Sequence, residues 1–227
     1  MRERKGYEMK DKAIKHWRLC TGLLITAVLA GCATSRGVVA PQMSAGANPQ
    51  HGVAVRIVSV EDKRSFQVEP KDPSIPSLMD NNVGDSDLKS RAVARKRNGF
   101  GKALGDVILP EGQSVSGLTE KTIARTLRDA GYRVVTSTDS DYEQAIPVTA
   151  QVDKLWAWFR PGFWAIAIES NYDITVAGNV PGLQAAPKVS GETRTTMQMA
   201  TGSDWTRVVE DSLSSFAAKL KEKLTAR

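Results

Sequence analysis

The sequence predicts an α+β domain with a mainly antiparallel sheet and two helices packed on one face of the sheet. Segments 53–60, 146–158, 164–176 and 189–200 alternate apolar and polar residues with the period of a β-strand. Segments 115–130 and 204–224 instead place apolar residues three and four apart, which is the period of a helix. Strands that precede, separate and follow the helices are typical of an α+β architecture.

The first 31 residues predict a signal peptide that is removed from the domain. A positive region over residues 2–18 runs into an apolar stretch over residues 19–30. This stretch is too short to cross a membrane, because a spanning helix needs about 20 apolar residues. Residues 1–31 contain seven Lys and Arg and three Asp and Glu, so the net charge of +6 falls to +2 without them. The basic balance therefore indicates targeting, and no nucleic-acid partner is expected.

A lipid-attachment motif follows the apolar stretch. The run Leu29-Ala30-Gly31-Cys32 resembles the lipobox of bacterial lipoproteins. The resemblance implies that the Cys32 thiol receives a diacylglyceryl group and that Cys32 becomes the first residue of the mature chain. Two or three acyl chains anchor a protein stably where one is marginal. Ala33, in place of aspartate, implies sorting to the outer membrane of a Gram-negative cell. The motif does not specify the leaflet, and a domain that faces the periplasm is the expectation.

Residues 32–51 predict a flexible tether, because they are mostly Gly, Ala, Ser, Pro, Asn and Gln. A single periplasmic domain is predicted over residues 52–227, and its first strand lies at 53–60. Residues 69–87 then contain three prolines and four aspartates, which indicates an irregular surface segment.

The densest positive cluster of the mature chain follows this acidic segment. It consists of Arg91, Arg95, Lys96, Arg97 and Lys102. The glycines among these residues lack the spacing of a nucleotide-binding loop. Two interpretations remain open: a solvated surface that pairs with the acidic segment, or a docking patch for anionic lipid or an acidic partner.

A helix capped by Ser114 or Ser116 is predicted to run to Ala130, with Gly131 as its C-cap, and a strand at 132–136 follows. The turn at Pro161-Gly162 then joins two long strands into a hairpin. The last helix is predicted to be capped by Ser203 or Asp204. Its apolar stripe consists of Trp205, Val209, Leu213, Phe216, Leu220 and Leu224.

The tip of the hairpin carries large apolar residues on both of its faces. They include Trp156, Trp158, Phe159, Phe163 and Trp164. Strict alternation places Trp156 and Trp158 on the core face, and Phe159 and Phe163 on the second face. Either the chain itself covers the second face, or the tip is a knob that docks on a membrane interface or a partner protein.

Residues 94–112, the helix end at 127–134 and the hairpin at 156–164 resemble the YajG-type group of uncharacterised bacterial lipoproteins. The group is similar in layout to the amino-terminal domain of TolB. The resemblance implies a binding or assembly role, and it supplies no catalytic residue.

Enzymatic function is not expected from the residue types present. The mature chain contains one histidine, His51, and no cysteine other than Cys32. No cluster has the spacing of metal ligands, so no metal and no cofactor are expected. The predicted function is a lipid-anchored, non-catalytic binding module with an envelope protein partner, accessory to a transport or assembly machine. The alternatives are a lipid- or envelope-glycan-binding module and, more distantly, a hydrolase.

Overall fold

The computed structural model describes residues 36–162 and 164–226. The predicted signal peptide, Cys32, Ala33 and Phe163 lie outside these residues. The described chain forms three α-helices, one 3-10 helix (Met79–Gly84) and an eight-stranded sheet. The helices are α1 (Ser86–Arg91), α2 (Val115–Asp129) and α3 (Gly202–Thr225). The strands are β1 (Gly37–Val38), β2 (Ala54–Asp62), β3 (Ala92–Arg97), β4 (Ala103–Ile108), β5 (Arg133–Val134), β6 (Ile146–Arg160), β7 (Ile166–Gly178) and β8 (Lys188–Met197).

The sheet is mixed, so the prediction of a mainly antiparallel sheet is wrong. Strands β3 and β4, β6 and β7, and β7 and β8 pair antiparallel. Strand β2 is parallel to both β5 and β6, β3 is parallel to β6, and β1 is parallel to β4. The physical reason is that the chain crosses from β4 through α2 to the opposite edge of the sheet, where β5 pairs with β2, and that β6 then runs between β2 and β3 in the same direction as both.

Helices α2 and α3 contact each other and cover one face of the sheet. The Ser114 side chain caps α2, and Gly131, with φ of 92°, follows its C-terminus as the sequence predicts. Helix α3 begins at Gly202, because Thr201 and Asp204 form a capping box, so its N-cap lies two or three residues before the predicted one. The whole predicted apolar stripe of α3 is buried in the main core.

The opposite face of the sheet is covered over part of its area by residues 64–91. This segment contributes Phe66, Leu78 and Leu88 to a second apolar cluster, which also contains Trp156 and Trp158. The same face of β7 and β8 keeps a pattern of exposed and half-buried polar residues. The sheet therefore has one apolar face and one face that is apolar only where this segment lies.

Part of the predicted tether packs against the domain. Strand β1 pairs with β4, and Val39 is buried in the main core. Asn48 exchanges two hydrogen bonds of 3.0 Å with the backbone of Val134, and Arg128 donates to Ala45 O at 2.8 Å. Because these backbone groups are paired and Val39 is buried, the packed unit begins at Arg36 and not at Gly52 as predicted.

Candidate functional site

Two members of the predicted basic cluster lie apart from the others. Arg91 is buried at the end of α1, donates to Leu109 O at 3.0 Å and pairs with Asp87 at 2.8 Å. Lys96 Nζ lies beside β1, 3.0 Å from the position that a Cβ on Gly37 would occupy. The alternation of a strand explains the separation of Lys96, since its side chain leaves β3 on the face opposite to Arg95 and Arg97.

Arg95, Arg97 and Lys102 line one groove of about 400 Å³ on the sheet face opposite to α2 and α3, which we call the basic groove. Its wall consists of Glu69, Met79, Arg95, Arg97, Gly101, Lys102 and Ala103. Three cationic side chains thus face one carboxylate, and Glu69 forms no ion pair with another described residue. The groove therefore carries a net positive charge.

Arg95 differs from the other buried arginines of the described chain. Arg64, Arg91 and Arg95 are 7%, 8% and 6% exposed. The Arg64 guanidinium donates to three backbone carbonyl groups and pairs with Asp62, filling the gap on the edge of β6 between β2 and β3. Arg95 has no hydrogen bond or ion pair with any described residue, and its Nε is fully buried. The charge of Asp106 acts on Arg95 only at longer range, so the buried Nε of Arg95 is one of the unsatisfied polar atoms of this face.

Arg97 adds a second cation beside Arg95. It donates to Gly101 O at 3.0 Å, while its Nε has no partner among the described residues. Burial lowers the pKa of the Arg97 guanidinium, and the neighbouring charge of Arg95 lowers it further. The positive charges of Arg95 and Arg97 therefore repel each other in the absence of an anion.

An ordered turn joins β3 to β4 at the edge of the groove. The Asn98 side chain accepts hydrogen bonds from the backbone N–H of Phe100 and of Lys102, at 3.0 and 2.9 Å. Gly101 adopts φ of 82°, which a glycine tolerates without strain. The turn presents Phe100 to solvent with 98% of its surface exposed.

A row of polar residues crosses the sheet face at the level of Arg95. Strand register aligns Asp106 with Arg95, Arg95 with Trp158, Trp158 with Glu169, and Glu169 with Arg194. Acidic and basic groups therefore alternate on either side of the Trp158 ring. The row places Arg95 between Asp106 on one side and an indole, which offers no anionic partner, on the other.

Asp106 is fully buried at one end of this row. Its Oδ1 accepts a hydrogen bond from Met79 N at 3.0 Å, and Arg36 lies 3.6 Å from its Oδ2. Burial raises the pKa of the Asp106 carboxyl, although the Met79 N–H and the charges of Arg95 and Arg36 oppose this shift. The ionised carboxylate is therefore less stable in the folded protein than in the unfolded chain.

Replacing Asp106 with asparagine is expected to raise the stability of the protein at neutral pH. A folded-state pKa above the unfolded value means that the folded carboxyl binds its proton more tightly, so native stability falls as the pH rises from about 4 through the folded pKa. Asparagine does not titrate, and it keeps an oxygen that can accept from Met79 N. Urea titrations of both proteins from pH 3 to 8 should show the advantage of the variant disappearing at low pH.

Asp204→Asn provides a control of opposite sign. Hydrogen bonds from the Thr201 side chain and backbone hold the pKa of Asp204 below its ordinary value. The Asp204→Asn protein should be less stable than the parent at neutral pH, and the difference should shrink as the carboxyl is protonated. A parallel response of the two variants to pH would contradict the assignment for Asp106.

The aromatic residues predicted at the hairpin tip lie on both faces of β6, but on the faces opposite to those predicted. A bulge lies between Val152 and Lys154, where the register with β7 shifts. Beyond it, Phe159 packs against the main core, while Trp156 and Trp158 join the second cluster. One extra residue in a strand moves every following side chain to the other face, which explains the reversal. Trp164 is 84% exposed at the following turn.

A second groove of about 430 Å³ lies on the other side of Trp158. Glu169 accepts hydrogen bonds there from the Trp158 indole at 3.1 Å, from Arg160 at 2.6 Å and from Arg194 at 2.9 Å. The carboxylate is thus fully engaged and shared by the two arginines, and Glu192 also lines this groove. Its arginines form hydrogen-bonded ion pairs, whereas Arg95 in the basic groove forms none with a described residue.

Within the described ranges, no group of three or more His, Cys, Asp or Glu side chains has the geometry of a metal site. None of the helices there has the length and apolar composition needed to cross a membrane.

Several residues of the site carry no signal in the sequence. Glu69 lies in a segment predicted to be irregular, and Arg36 lies in the predicted tether. Asp106 lies in a segment for which no helix or strand was predicted. Phe100 had a signal, since it is a large apolar residue between glycines and cations in a predicted surface segment.

No family model and no curated protein matches the chain. Among solved structures, a Xanthomonas campestris protein of the family DUF330 is similar over 84% of this chain and 93% of its own, with 11% identity and a TM-score of 0.42. A protein from Helicobacter pylori, described as a homologue of the neuraminyllactose-binding hemagglutinin, is similar over 82% and 89%, with 8% identity and a TM-score of 0.33. These likenesses do not identify a family, and the YajG-type resemblance stays a prediction.

Proposed function

We propose that this protein is a lipid-anchored, non-catalytic binding module of the bacterial cell envelope that takes an anionic group into the basic groove. The run that ends at Cys32 supports the lipid anchor, and Ala33 supports an outer-membrane location with the domain in the periplasm. In this proposal the module serves an envelope transport or assembly machine as an accessory component, with a protein of that machine as its partner.

The observation that carries the proposal is that Arg95 lines the groove without a hydrogen bond or ion pair to any described residue, although the charge of Asp106 acts on it at longer range. Arg95 is 94% buried as a residue and its Nε is out of contact with solvent, and ordinary folds compensate such a loss of hydration with a carboxylate or with carbonyl groups. The same chain does so for Arg64 and Arg91. Because Arg95 faces an open groove beside Arg97 and Lys102, an anionic ligand would supply the missing partner.

Replacing Arg95 with methionine is expected to weaken the binding of inorganic pyrophosphate, used as the probe, by at least about tenfold. A hydrogen bond to a charged group contributes about 1.5 to 3 kcal/mol, and 1.4 kcal/mol is a factor of ten in the dissociation constant. The measurement is calorimetric titration of the full mature chain in detergent.

Two further variants test whether the effect is local. Arg207→Met removes an equal charge from α3, on the other side of the sheet, and should leave pyrophosphate binding within about twofold. Glu69→Gln removes the only carboxylate among the residues that line the basic groove and should strengthen the binding. Equal losses in Arg95→Met and Arg207→Met would show that the probe senses net charge, and the groove would no longer be the proposed site.

A further inference from the structure

The β3–β4 turn, the β6–β7 turn and the start of β1 lie toward the same end of the sheet. Strand β3 is parallel to β6, so the turn after Arg97 and the turn after Arg160 leave the sheet at the same end. Strand β1 is parallel to β4, so Arg36, the residue before β1, lies toward the end of β4 that begins at Ala103. This is again the end that carries the β3–β4 turn.

The predicted lipid attachment is close to this end along the chain. Cys32 precedes Arg36 by four residues. A fully extended chain of that length spans at most about 14 Å. Arg36 itself contacts Asp106, the register partner of Arg95. An acylated Cys32 therefore keeps the membrane surface within a short distance of the basic groove.

The two turns present the most exposed aromatic rings of the described chain. Phe100 is 98% exposed on the β3–β4 turn, and Trp164 is 84% exposed on the β6–β7 turn. Arg97 and Lys102 flank the first ring, and Arg160 precedes the second turn. Aromatic rings beside Lys and Arg are typical of protein surfaces that sit at the level of lipid headgroups.

We infer that the basic groove binds the phosphate of an anionic phospholipid in the membrane that carries the acyl chains of Cys32, with Phe100 and Trp164 inserted at headgroup level. The inference rests on the proposed function, because it names the ligand of the groove proposed there. Arg95 pairs with the phosphate, Arg97 and Lys102 contact neighbouring headgroups, and the two rings occupy the interface. The end of the sheet that carries both turns thus faces the lipid.

The first experiment measures the binding of the full mature chain with Cys32→Ser to vesicles, so that no acyl chain contributes. Binding to phosphatidylcholine vesicles that contain phosphatidylglycerol should exceed binding to pure phosphatidylcholine and should weaken with salt. Arg95→Met should weaken it about fivefold, and Phe100→Ser with Trp164→Ser by at least about tenfold, whereas Arg207→Met should change it less than twofold.

The second experiment measures orientation in the lipidated protein. Because Cys32 is acylated and Cys20 is removed with the leader, Phe100→Cys introduces a single reactive thiol. A fluorophore on this thiol should be quenched by lipids that carry a quencher in the headgroup region of a nanodisc. The matched label on Val53→Cys, an exposed position before β2 at the opposite end of the sheet, should not be quenched.

The outcomes separate the inference from the proposed function. Loss of pyrophosphate binding in Arg95→Met with unchanged vesicle binding would assign the groove to a soluble phosphate and overturn the lipid inference alone. Equal quenching at positions 100 and 53 would overturn the orientation and with it the inference. Absence of any pyrophosphate and vesicle binding by the parent chain would overturn both proposals.

Discussion

Replacing Cys32 with serine is expected to leave the protein without acyl chains, and either to release it into the soluble fraction or to stall it with its signal peptide uncleaved. A serine hydroxyl cannot form the thioether that a lipobox cysteine provides. Each buried methylene contributes about 0.8 kcal/mol, so the loss of two or three acyl chains removes far more binding energy than the headgroup contacts of one domain supply. Incorporation of labelled palmitate and fractionation of cells measure the two effects.

The matched control is Ala33→Asp, which keeps Cys32 and changes only the sorting residue. This variant should still incorporate palmitate, and it should fractionate with the inner membrane instead of the outer membrane. Palmitate label on the Cys32→Ser protein, or an Ala33→Asp protein that loses its label, would contradict the assignment of Cys32 as the anchor.

Replacing Trp156 with alanine is expected to lower the free energy of unfolding by about 3 to 5 kcal/mol, a large part of the roughly 5 to 15 kcal/mol of a typical domain. Trp156 is 1% exposed and packs edge to face against Phe66, with 5.9 Å between the ring centroids. Its indole also donates to Pro73 O at 3.2 Å. The change therefore leaves a cavity and detaches the segment that covers this face. Urea unfolding followed by circular dichroism gives the magnitude.

Trp164→Ala provides the comparison for the same residue type on an exposed turn. Since most of the Trp164 surface is already in water, this variant should change the unfolding free energy by less than about 1 kcal/mol. A small effect of Trp156→Ala, together with a large effect of Trp164→Ala, would contradict the division of the hairpin into a packed face and an exposed turn.

The bulge at residue 153 shows where reasoning from sequence periodicity reaches its limit. Apolar residues continue on both faces of the strand beyond the bulge, so the sequence contains no mark of the shift. The pairing with β7 and the Arg64 guanidinium, which donates to Leu155 O at 3.1 Å, exist only in the folded chain. Trp156 and Phe159 consequently exchanged faces relative to the prediction.

The basic cluster shows a similar limit for charge. Composition and spacing indicated a positive surface over residues 91–102. They could not distinguish Arg91, which is satisfied by Leu109 O and Asp87, from Arg95, which forms no hydrogen bond or ion pair in the described chain. The difference depends on which carbonyl groups and carboxylates long-range packing brings within 3 Å of each guanidinium.

The sequence by itself determined the local elements: the capped helix from Ser114, the apolar stripe of α3 and the alternation of β7. These depend on contacts between residues a few positions apart, which the order of side chains specifies directly. The tertiary structure alone decided the parallel pairing of β2 with β6, the docking of Val39 and the position of Arg95 between Asp106 and Trp158. Each of these contacts joins segments that are distant in the chain. The burial energy that selects among such pairings depends on both segments, so no local sequence pattern predicts it.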